Sequence, residues 1–435
     1  MPFRRFAEAT LALLIAVASI LPISAQTYTV LYSFTGGADG ASPMAALVLD
    51  PAGNLYGTTF GTTPYPLGQT TGTTTGSVFK VNSGGGFTLL YNFANGGPNG
   101  KNPSGGLVRD PSGNLYGSTY GGGGSTNPIC FAGGRLPDAG CGEIFKVDAS
   151  DNFSVLFSFS GSKNCWDGCL PLAPLTLDSA GNLYGTSYLG GSRNSDPDRL
   201  NRQGYAAESY CGVVFKLSPK GKETVFHRFG KARHDGDFPN PGLVVDSTGN
   251  VYGTTLAGGQ NDNGGGTDGD GTVFILDPSG NETALFYFQY QGSGASPNGS
   301  LVQDPSGNFY GTLRNGWPFK LDLQGNLTQF PGSIEGITFA PLIVDAFGNL
   351  YGTTYTGGGL NPACGGGDGC GTVFKLDPSG NFTTLYQFSG YSDGANPFAS
   401  LVMDASGNLY GTTAYGGTVN SNCPAGCGVV FKITP

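Results

Sequence analysis

The chain has few of the side chains that catalysis uses. Charged residues make up only 12% of its 435 residues, histidine occurs twice, and glutamate occurs five times after residue 25. The sequence contains no Gly-x-Ser-x-Gly nucleophile elbow, no His-Glu-x-x-His metal motif and no phosphate-binding glycine loop. Since acid–base and nucleophilic mechanisms need such groups, the sequence favours a non-catalytic protein over an enzyme.

Basic residues and long apolar runs are also scarce. Lysine and arginine number 21 against 30 acidic residues, which gives a formal net charge of −9. No basic patch large enough to follow a phosphate backbone stands out, so we expect no nucleic-acid partner. After residue 25 no segment is apolar enough to span a bilayer. We therefore expect no membrane span in the mature chain, which we expect to be a monomer.

The N-terminus has the pattern of an export signal. Arg4 and Arg5 precede an apolar run at residues 11–23, and Ala25 before Gln26 is a plausible cleavage point. The alternative is an uncleaved membrane anchor, for which the apolar run is short. The sequence thus predicts a signal peptide at 1–25, a single domain at 26–435, and a secreted, extracellular or periplasmic location.

What the chain does have is glycine, at 77 positions, and one repeated motif. The copy at residues 401–413 reads LVMDASGNLYGTT. Each copy combines an Asp-x-x-Gly-Asn turn with a following Tyr-Gly pair. The seven copies begin at Leu47, Leu107, Leu175, Leu243, Leu301, Leu342 and Leu401. Repetition at this period predicts stacked units rather than a simple globular fold.

Each unit is read as four antiparallel strands, A to D, which form one blade of a β-propeller. Strand A precedes the first turn, strand B begins at the Tyr-Gly pair, strand C is a run such as Gly-Thr-Val-Phe-Lys-Leu, and strand D follows a second turn. The last copy ends after strand C, whereas residues 28–34 match a strand D. We therefore predict an all-β, seven-bladed propeller closed by its N-terminal strand, which removes exposed sheet edges.

The two linked motifs resemble the GloVer (Gloeo_Verruco) repeat of choice-of-anchor tandem repeat proteins, which are exported bacterial proteins of uncharacterised role. Residues 342–376 carry both motifs in order, as LIVDAFGNLYGTT, Gly-Gly, a loop and GTVFKL. The resemblance spans the mature chain. It implies export and a β-propeller, and it implies no reaction.

Nine cysteines fit an oxidising compartment. Three pairs close in sequence are predicted to form disulfides: Cys130 with Cys141, Cys364 with Cys370, and Cys423 with Cys427. Two alternatives remain for the other three. Either Cys165 joins Cys169, or Cys211 joins one of them. No cysteine pair has a histidine at zinc-ligand spacing, so no metal site is predicted there.

The repeat is broken around the third blade, where we place the candidate binding site. Both histidines, His227 and His234, belong to this unit. Departures from a regular repeat indicate a binding site or drift in a tolerant loop. In the first interpretation Trp166 stacks on a sugar or another planar group and polar neighbours bind its substituents. The candidates are Trp166, Asp167, Arg193, His234, Asp235 and, beside a shortened loop in the fifth unit, Trp317.

Acidic residues also recur in the loops between strands D and A. Five of seven copies place an acid before a glycine, near the expected mouth of the central channel. Such a ring could bind a cation, but Asp-Gly is also a common turn, which is the interpretation we prefer. Asp268 and Asp270 have calcium-loop spacing without the closing glutamate. We predict no cofactor; a structural calcium ion is conceivable but unsupported.

Together these features predict a secreted, non-catalytic module that binds an extracellular glycan or protein, or serves as a structural surface component. The alternative is a propeller enzyme, a lyase or hydrolase, that acts on polysaccharides or lactones.

Overall fold

A computed structural model describes most of the chain after residue 25. The described residues are 26–61, 76–93, 99–125, 140–161, 165–191, 211–230, 235–239, 242–259, 270–289, 296–330, 336–359, 364 and 368–434. The predicted signal peptide, Cys130, Arg193 and His234 lie outside them. Within this part of the chain no helix is long and apolar enough to cross a membrane.

Seven antiparallel sheets form the blades of a β-propeller, which confirms the predicted fold. Blade 1 contains β2 (Val48–Leu49), β3 (Leu55–Thr59), β4 (Ser77–Val81) and β5 (Phe87–Asn92). Blade 2 contains β6 (Lys101–Pro103), β7 (Val108–Arg109), β8 (Leu115–Gly121), β9 (Glu143–Val147) and β10 (Phe153–Ser158). Blade 3 contains β11 (Thr176–Leu177), β12 (Leu183–Ser187), β13 (Val213–Leu217) and β14 (Glu223–Arg228).

The remaining blades follow the same order. Blade 4 contains β15 (Gly236–Pro239), β16 (Val244–Val245), β17 (Val251–Gly258), β18 (Thr272–Leu276) and β19 (Glu282–Tyr287). Blade 5 contains β20 (Val302–Gln303), β21 (Phe309–Thr312), β22 (Pro318–Leu321) and β23 (Leu327–Gln329). Blade 6 contains β24 (Ile343–Val344), β25 (Leu350–Thr354), β26 (Thr372–Leu376) and β27 (Phe382–Gln387). Blade 7 contains β28 (Val402–Met403), β29 (Leu409–Thr413), β30 (Val429–Thr434) and β1 (Thr27–Ser33).

Blades 2 and 4 each contain one additional short strand that the sequence did not predict. β6 and β15 lie in the loop between strands D and A, and each pairs with strand B of its own blade. The sequence did not indicate these strands, because neither has an alternating apolar pattern.

The ring closes as predicted. β1 pairs antiparallel with β30, with Thr27 opposite Thr434 and Ser33 opposite Val429. The first strand of the described chain is therefore the outermost strand of the last blade, and the edge of β30 is not left open.

The repeated turn explains why each blade begins in the same way. In blade 1, Asp50 Oδ1 accepts hydrogen bonds from the backbone N–H groups of Ala52 and Asn54, and Oδ2 accepts one from the Tyr56 hydroxyl. Partial burial works to raise the pKa of Asp50, but these bonds hold it below its ordinary value. Gly53 has a φ of 82°, which a side chain would disfavour.

The core consists of one apolar cluster at each of the seven blade boundaries. The strand C phenylalanines are buried, and Phe79 is fully so. A Cβ on Gly57 of strand B would lie 2.6 Å from Phe79 Cζ and 2.8 Å from Leu47 Cδ2. The repeated Tyr-Gly pair therefore has a structural role, since the glycine leaves space for the phenylalanine ring of the neighbouring strand.

In six blades the described outermost strand carries a β-bulge halfway along its length. A bulge bends the strand and redirects the following side chain. The residue after the bulge, Tyr32 in blade 7, consequently meets the next blade. This position is central to the site described below.

Candidate functional site

The regular blade boundaries share one arrangement at their outer edge. Tyr32, on the outermost strand of blade 7, stacks on Phe87 of blade 1 with ring centroids 4.5 Å apart. Its hydroxyl donates to Asp39 Oδ2 at 3.0 Å, and Asp39 also accepts from the Thr35 backbone N–H at 2.8 Å. An aromatic pair and a loop carboxylate thus join the two blades.

The boundary between blades 6 and 7 repeats this arrangement. Tyr386 stacks on Tyr28 at 3.9 Å and donates its hydroxyl to Asp393 Oδ2 at 3.0 Å. Asp39 and Asp393 therefore accept hydrogen bonds within their own turns, as the turn interpretation predicted, and each also bonds to a tyrosine at the blade boundary. Both lie beside the outermost strand, so the expectation that these two loop acids line the channel mouth is wrong.

Blades 3 and 4 replace this apolar arrangement with charge. The outermost-strand residue that pairs with the last apolar residue of strand C is aromatic in blades 1, 2, 6 and 7 and leucine in blade 5, but it is Glu223 in blade 3 and Glu282 in blade 4. His227 takes the position of Tyr32 after the bulge in blade 3. The two boundaries of blade 3 therefore carry ionisable groups at positions where three other boundaries, those of blades 1 and 2, 6 and 7, and 7 and 1, stack aromatic rings.

The boundary between blades 2 and 3 exposes an indole ring, and we call it the Trp166 site (Trp166, Asp167, Glu223 and Arg228). Trp166 is 47% exposed. The Arg228 guanidinium, at the end of β14, lies 4.5 Å from the centroid of the indole ring, which is cation–π geometry. Arg228 covers one face of the ring and fixes its orientation.

Two carboxylates stand beside this pair. Asp167 Oδ2 accepts a hydrogen bond from the Ser160 hydroxyl at 3.2 Å. Burial, with the nearby charge of Asp167, raises the pKa of Glu223 to about 7, against the opposing influence of Arg228. Asp167 Oδ1, Glu223 Oε1 and Arg228 Nε are buried and make no hydrogen bond to any described residue. These unsatisfied polar atoms are available to a ligand that binds at the site.

A disulfide fixes the loop that presents Trp166. Cys165 bonds to Cys169, which decides between the two alternatives that the sequence left open. The backbone of Cys169 also exchanges hydrogen bonds with Leu189, at 2.9 and 3.3 Å. The loop is therefore attached to the loop that leaves β12.

The other predicted cysteine pairs agree with the structure as far as it describes them. Cys364 bonds to Cys370 and Cys423 bonds to Cys427. Cys141 is in a disulfide, but its predicted partner Cys130 lies outside the described residues. These pairs are compatible with a secreted or periplasmic protein.

The boundary between blades 3 and 4 forms a second charged cluster, the His227 triad (His227, Asp235 and Glu282). His227 Nε2 lies 3.4 Å from Glu282 Oε2 and 3.7 Å from Asp235 Oδ1. Burial works to lower the pKa of His227, but the two carboxylates outweigh it and raise the pKa to about 9. One imidazole nitrogen and two carboxylate oxygens are a possible ligand set for a metal ion.

The structure separates the sequence-predicted residues. Trp166 and Asp167 share one site, and Asp235 belongs to the triad on the other side of blade 3. Trp317, which is 43% exposed, lies in the short β21–β22 turn of blade 5 and is not part of either cluster. Arg193 and His234 lie outside the described residues.

Sequence reasoning missed Glu223, Arg228 and Glu282. All three lie on outermost strands, whereas the residues predicted from the sequence all lie in predicted loops. A usable signal was present, because aligning the seven strand D segments shows that charge replaces an aromatic residue only at Glu223 and Glu282. Which residues these glutamates meet could not be read from that alignment.

The fold and the site together define a seven-bladed β-propeller repeat protein with one charged, irregular sector around blade 3. The model of the Gloeobacter/Verrucomicrobia repeat matches residues 18–195, 200–361 and 263–435. The chain therefore belongs to the Gloeobacter/Verrucomicrobia repeat family, as the motifs predicted.

Other comparisons add little to this assignment. No functionally curated protein matches the sequence. Among solved structures, the chain is similar to a gluconolactonase from Xanthomonas campestris, with 12% identity, a TM-score of 0.39, and coverage of 67% of this chain and 78% of that one. It is also similar to a structural-genomics target provisionally named a gluconolactonase, with 14% identity, a TM-score of 0.39, and coverage of 75% and 87%. At these values neither likeness bears on the activity of this chain.

Proposed function

We propose that this protein is an exported, non-catalytic binding module that holds an extracellular glycan at the Trp166 site. The observation that carries the proposal is the exposed indole ring of Trp166, held by Arg228 and bordered by Asp167 and Glu223. An indole offers a flat apolar surface for the C–H face of a sugar ring, and the charged groups can bind its hydroxyls.

Rigidity supports this function. The Cys165–Cys169 disulfide and the hydrogen bonds to Leu189 hold the loop in place, and Arg228 orients the ring. A preorganised site loses less conformational entropy when it binds, so a small contact surface can still give useful affinity. Exposed aromatic residues beside arginine are also common at protein interfaces, which makes a protein partner the other outcome to test.

The test is a glycan array probed with the purified chain, together with capture of partners from cell envelope. We expect glycan binding that weakens about 5- to 30-fold in Trp166→Ala, because a stacked ring contributes on the order of 1–2 kcal/mol. Tyr391→Ala is the matched control, since Tyr391 is a 66% exposed aromatic residue in the loop between blades 6 and 7. Absence of any glycan ligand, or equal binding by the Trp166 variant, would overturn the proposal.

One observation favours the enzyme alternative, a lyase or hydrolase that acts on polysaccharides or lactones. Glu223, with a pKa raised to about 7, stands near Asp167, and a carboxyl group with a raised pKa beside a second carboxyl group can act as a general acid. Turnover of a polysaccharide or lactone panel that is lost in Glu223→Gln and in Asp167→Asn would establish this alternative. Turnover that survives both changes would exclude these residues from catalysis.

A further inference from the structure

The His227 triad occupies a place where three described boundaries of the repeat stack two aromatic rings. In blades 7 and 1 the corresponding residues are Tyr32 and Phe87, which pack in contact. At the boundary of blades 3 and 4 both rings are replaced, by His227 and Glu282, and Asp235 holds the position of the loop carboxylate. Two coordinated replacements at one boundary assemble three metal-binding side chains.

The distances do not describe ordinary hydrogen bonds. His227 Nε2 lies 3.4 and 3.7 Å from the two carboxylate oxygens, beyond the range of about 2.7–3.2 Å for N–H···O bonds. Nε2 is buried and makes no hydrogen bond to any residue in the described part of the chain. Ligand atoms around a tetrahedral zinc ion are about 3.3 Å apart when the bonds are about 2.0 Å long. The two distances from Nε2 are close to that spacing, and all three donor atoms lie within 4.8 Å of one another.

The imidazole is oriented as a metal ligand would be. His227 Nδ1 lies 3.2 Å from the Gly280 carbonyl oxygen, which can only accept a hydrogen bond. Nδ1 therefore carries the proton that is donated to this carbonyl, which leaves Nε2, directed toward Asp235 and Glu282, as the nitrogen that a metal ion can bind when it displaces the second ring proton. Such a bond to a backbone carbonyl fixes the ring orientation of metal-binding histidines.

The three side chains are largely buried, and two of them are acidic. The side chains of His227, Asp235 and Glu282 are 15%, 2% and 13% exposed. Two buried carboxylates carry two negative charges, of which a protonated His227 offsets only one. A divalent ion would neutralise both carboxylates, and the imidazole nitrogen favours a transition metal such as zinc over calcium.

We propose that His227, Asp235 and Glu282 bind a divalent transition metal ion, of which zinc is the best match, at the boundary of blades 3 and 4. Three protein ligands leave a fourth position for water. The ion joins the outermost strand of blade 3 to blade 4, at the position where the boundary of blades 7 and 1 has stacked rings. It lies on the opposite side of blade 3 from the Trp166 site and does not depend on glycan binding.

The test is a titration of the EDTA-treated, full-length chain with zinc chloride by isothermal calorimetry, with calcium chloride as comparison. We expect one zinc ion per chain and little calcium binding. The variant H227Y/E282F installs the residue pair found at Tyr32 and Phe87, and we expect it to fold and to bind zinc more than about 100-fold more weakly. X-ray absorption of the zinc-loaded wild type should show one histidine nitrogen and oxygen ligands at about 2.0 Å.

Two controls separate this site from others. Asp393→Asn changes the carboxylate equivalent to Asp235 at the boundary of blades 6 and 7, and zinc binding should not change. Cys211→Ser removes a buried thiol that could take up zinc, and binding should again be unchanged. No zinc binding by the wild type, a sulfur ligand in the absorption spectrum, or equal binding by H227Y/E282F would overturn the proposal. If that variant does not fold, Glu282→Gln replaces it, with the same expected loss.

Discussion

The boundary between blades 7 and 1 and the boundary between blades 3 and 4 use the same backbone positions for different chemistry. At the first, Tyr32 stacks on Phe87 and bonds to Asp39. At the second, His227 faces Asp235 and Glu282. The bulged outer strand is present in both, so the backbone tolerates a charged cluster as well as an aromatic pair. The repeat therefore determines the backbone, and the candidate sites lie where side chains differ from the repeated pattern.

The largest effect on stability is expected at a buried phenylalanine that both boundaries contain. Phe34 and Phe229 each follow directly after the outermost strand of their blade, both are fully buried, and each packs edge-on against a strand C phenylalanine at 5.1 Å. We expect Phe34→Ala and Phe229→Ala each to lower the free energy of unfolding by about 3–5 kcal/mol, because each leaves a cavity. Urea denaturation measures both values. A much smaller loss at Phe229 would show that the irregular sector is packed differently.

An intermediate effect is expected when charge is placed in the regular boundary. Phe87→Glu copies the residue found at Glu282 but leaves Tyr32 without its stacking partner. We expect a loss of about 2 kcal/mol in unfolding free energy, from lost ring contact and lost apolar burial. Phe87→Leu is the control and should lose about half as much. Unchanged stability of the glutamate variant would contradict the view that the ring pair holds this boundary.

The smallest effect is a pH dependence at Glu223. Burial raises its pKa from 4.5 to about 7, so the folded protein favours the protonated carboxyl. Its contribution to stability is complete below pH 4.5 and is lost as the pH rises through 7. Relative to Glu223→Gln, the wild type should lose on the order of 1 kcal/mol between pH 4.5 and 8, since partial exposure screens the charge. Thermal melts across this range measure the difference, and parallel pH profiles would be inconsistent with a raised pKa.

Part of the candidate site could be predicted from the sequence. Trp166, Asp167 and Asp235 were found because they interrupt or belong to recognisable loops. Arg228 was not found, since nothing in the chain predicts that a residue at the end of strand D covers an indole ring from the preceding loop. Asp235 was expected to belong with Trp166, but the structure places it with His227 and Glu282, because the loop packs against the following boundary. The roles assigned to Trp317, Arg193 and His234 remain predictions.

The sequence alone determined the seven blades, their turns and the closure by residues 28–34, because these features arise from local patterns that recur seven times. The turn carboxylates, the strand B glycines and the alternating apolar residues each act within one repeat or between adjacent repeats, and repetition makes them visible. Tertiary structure alone decided which unusual side chains meet. Those contacts join strands and loops of different blades, and they depend on bulge geometry, burial and ångström-scale distances that no spacing along the chain specifies.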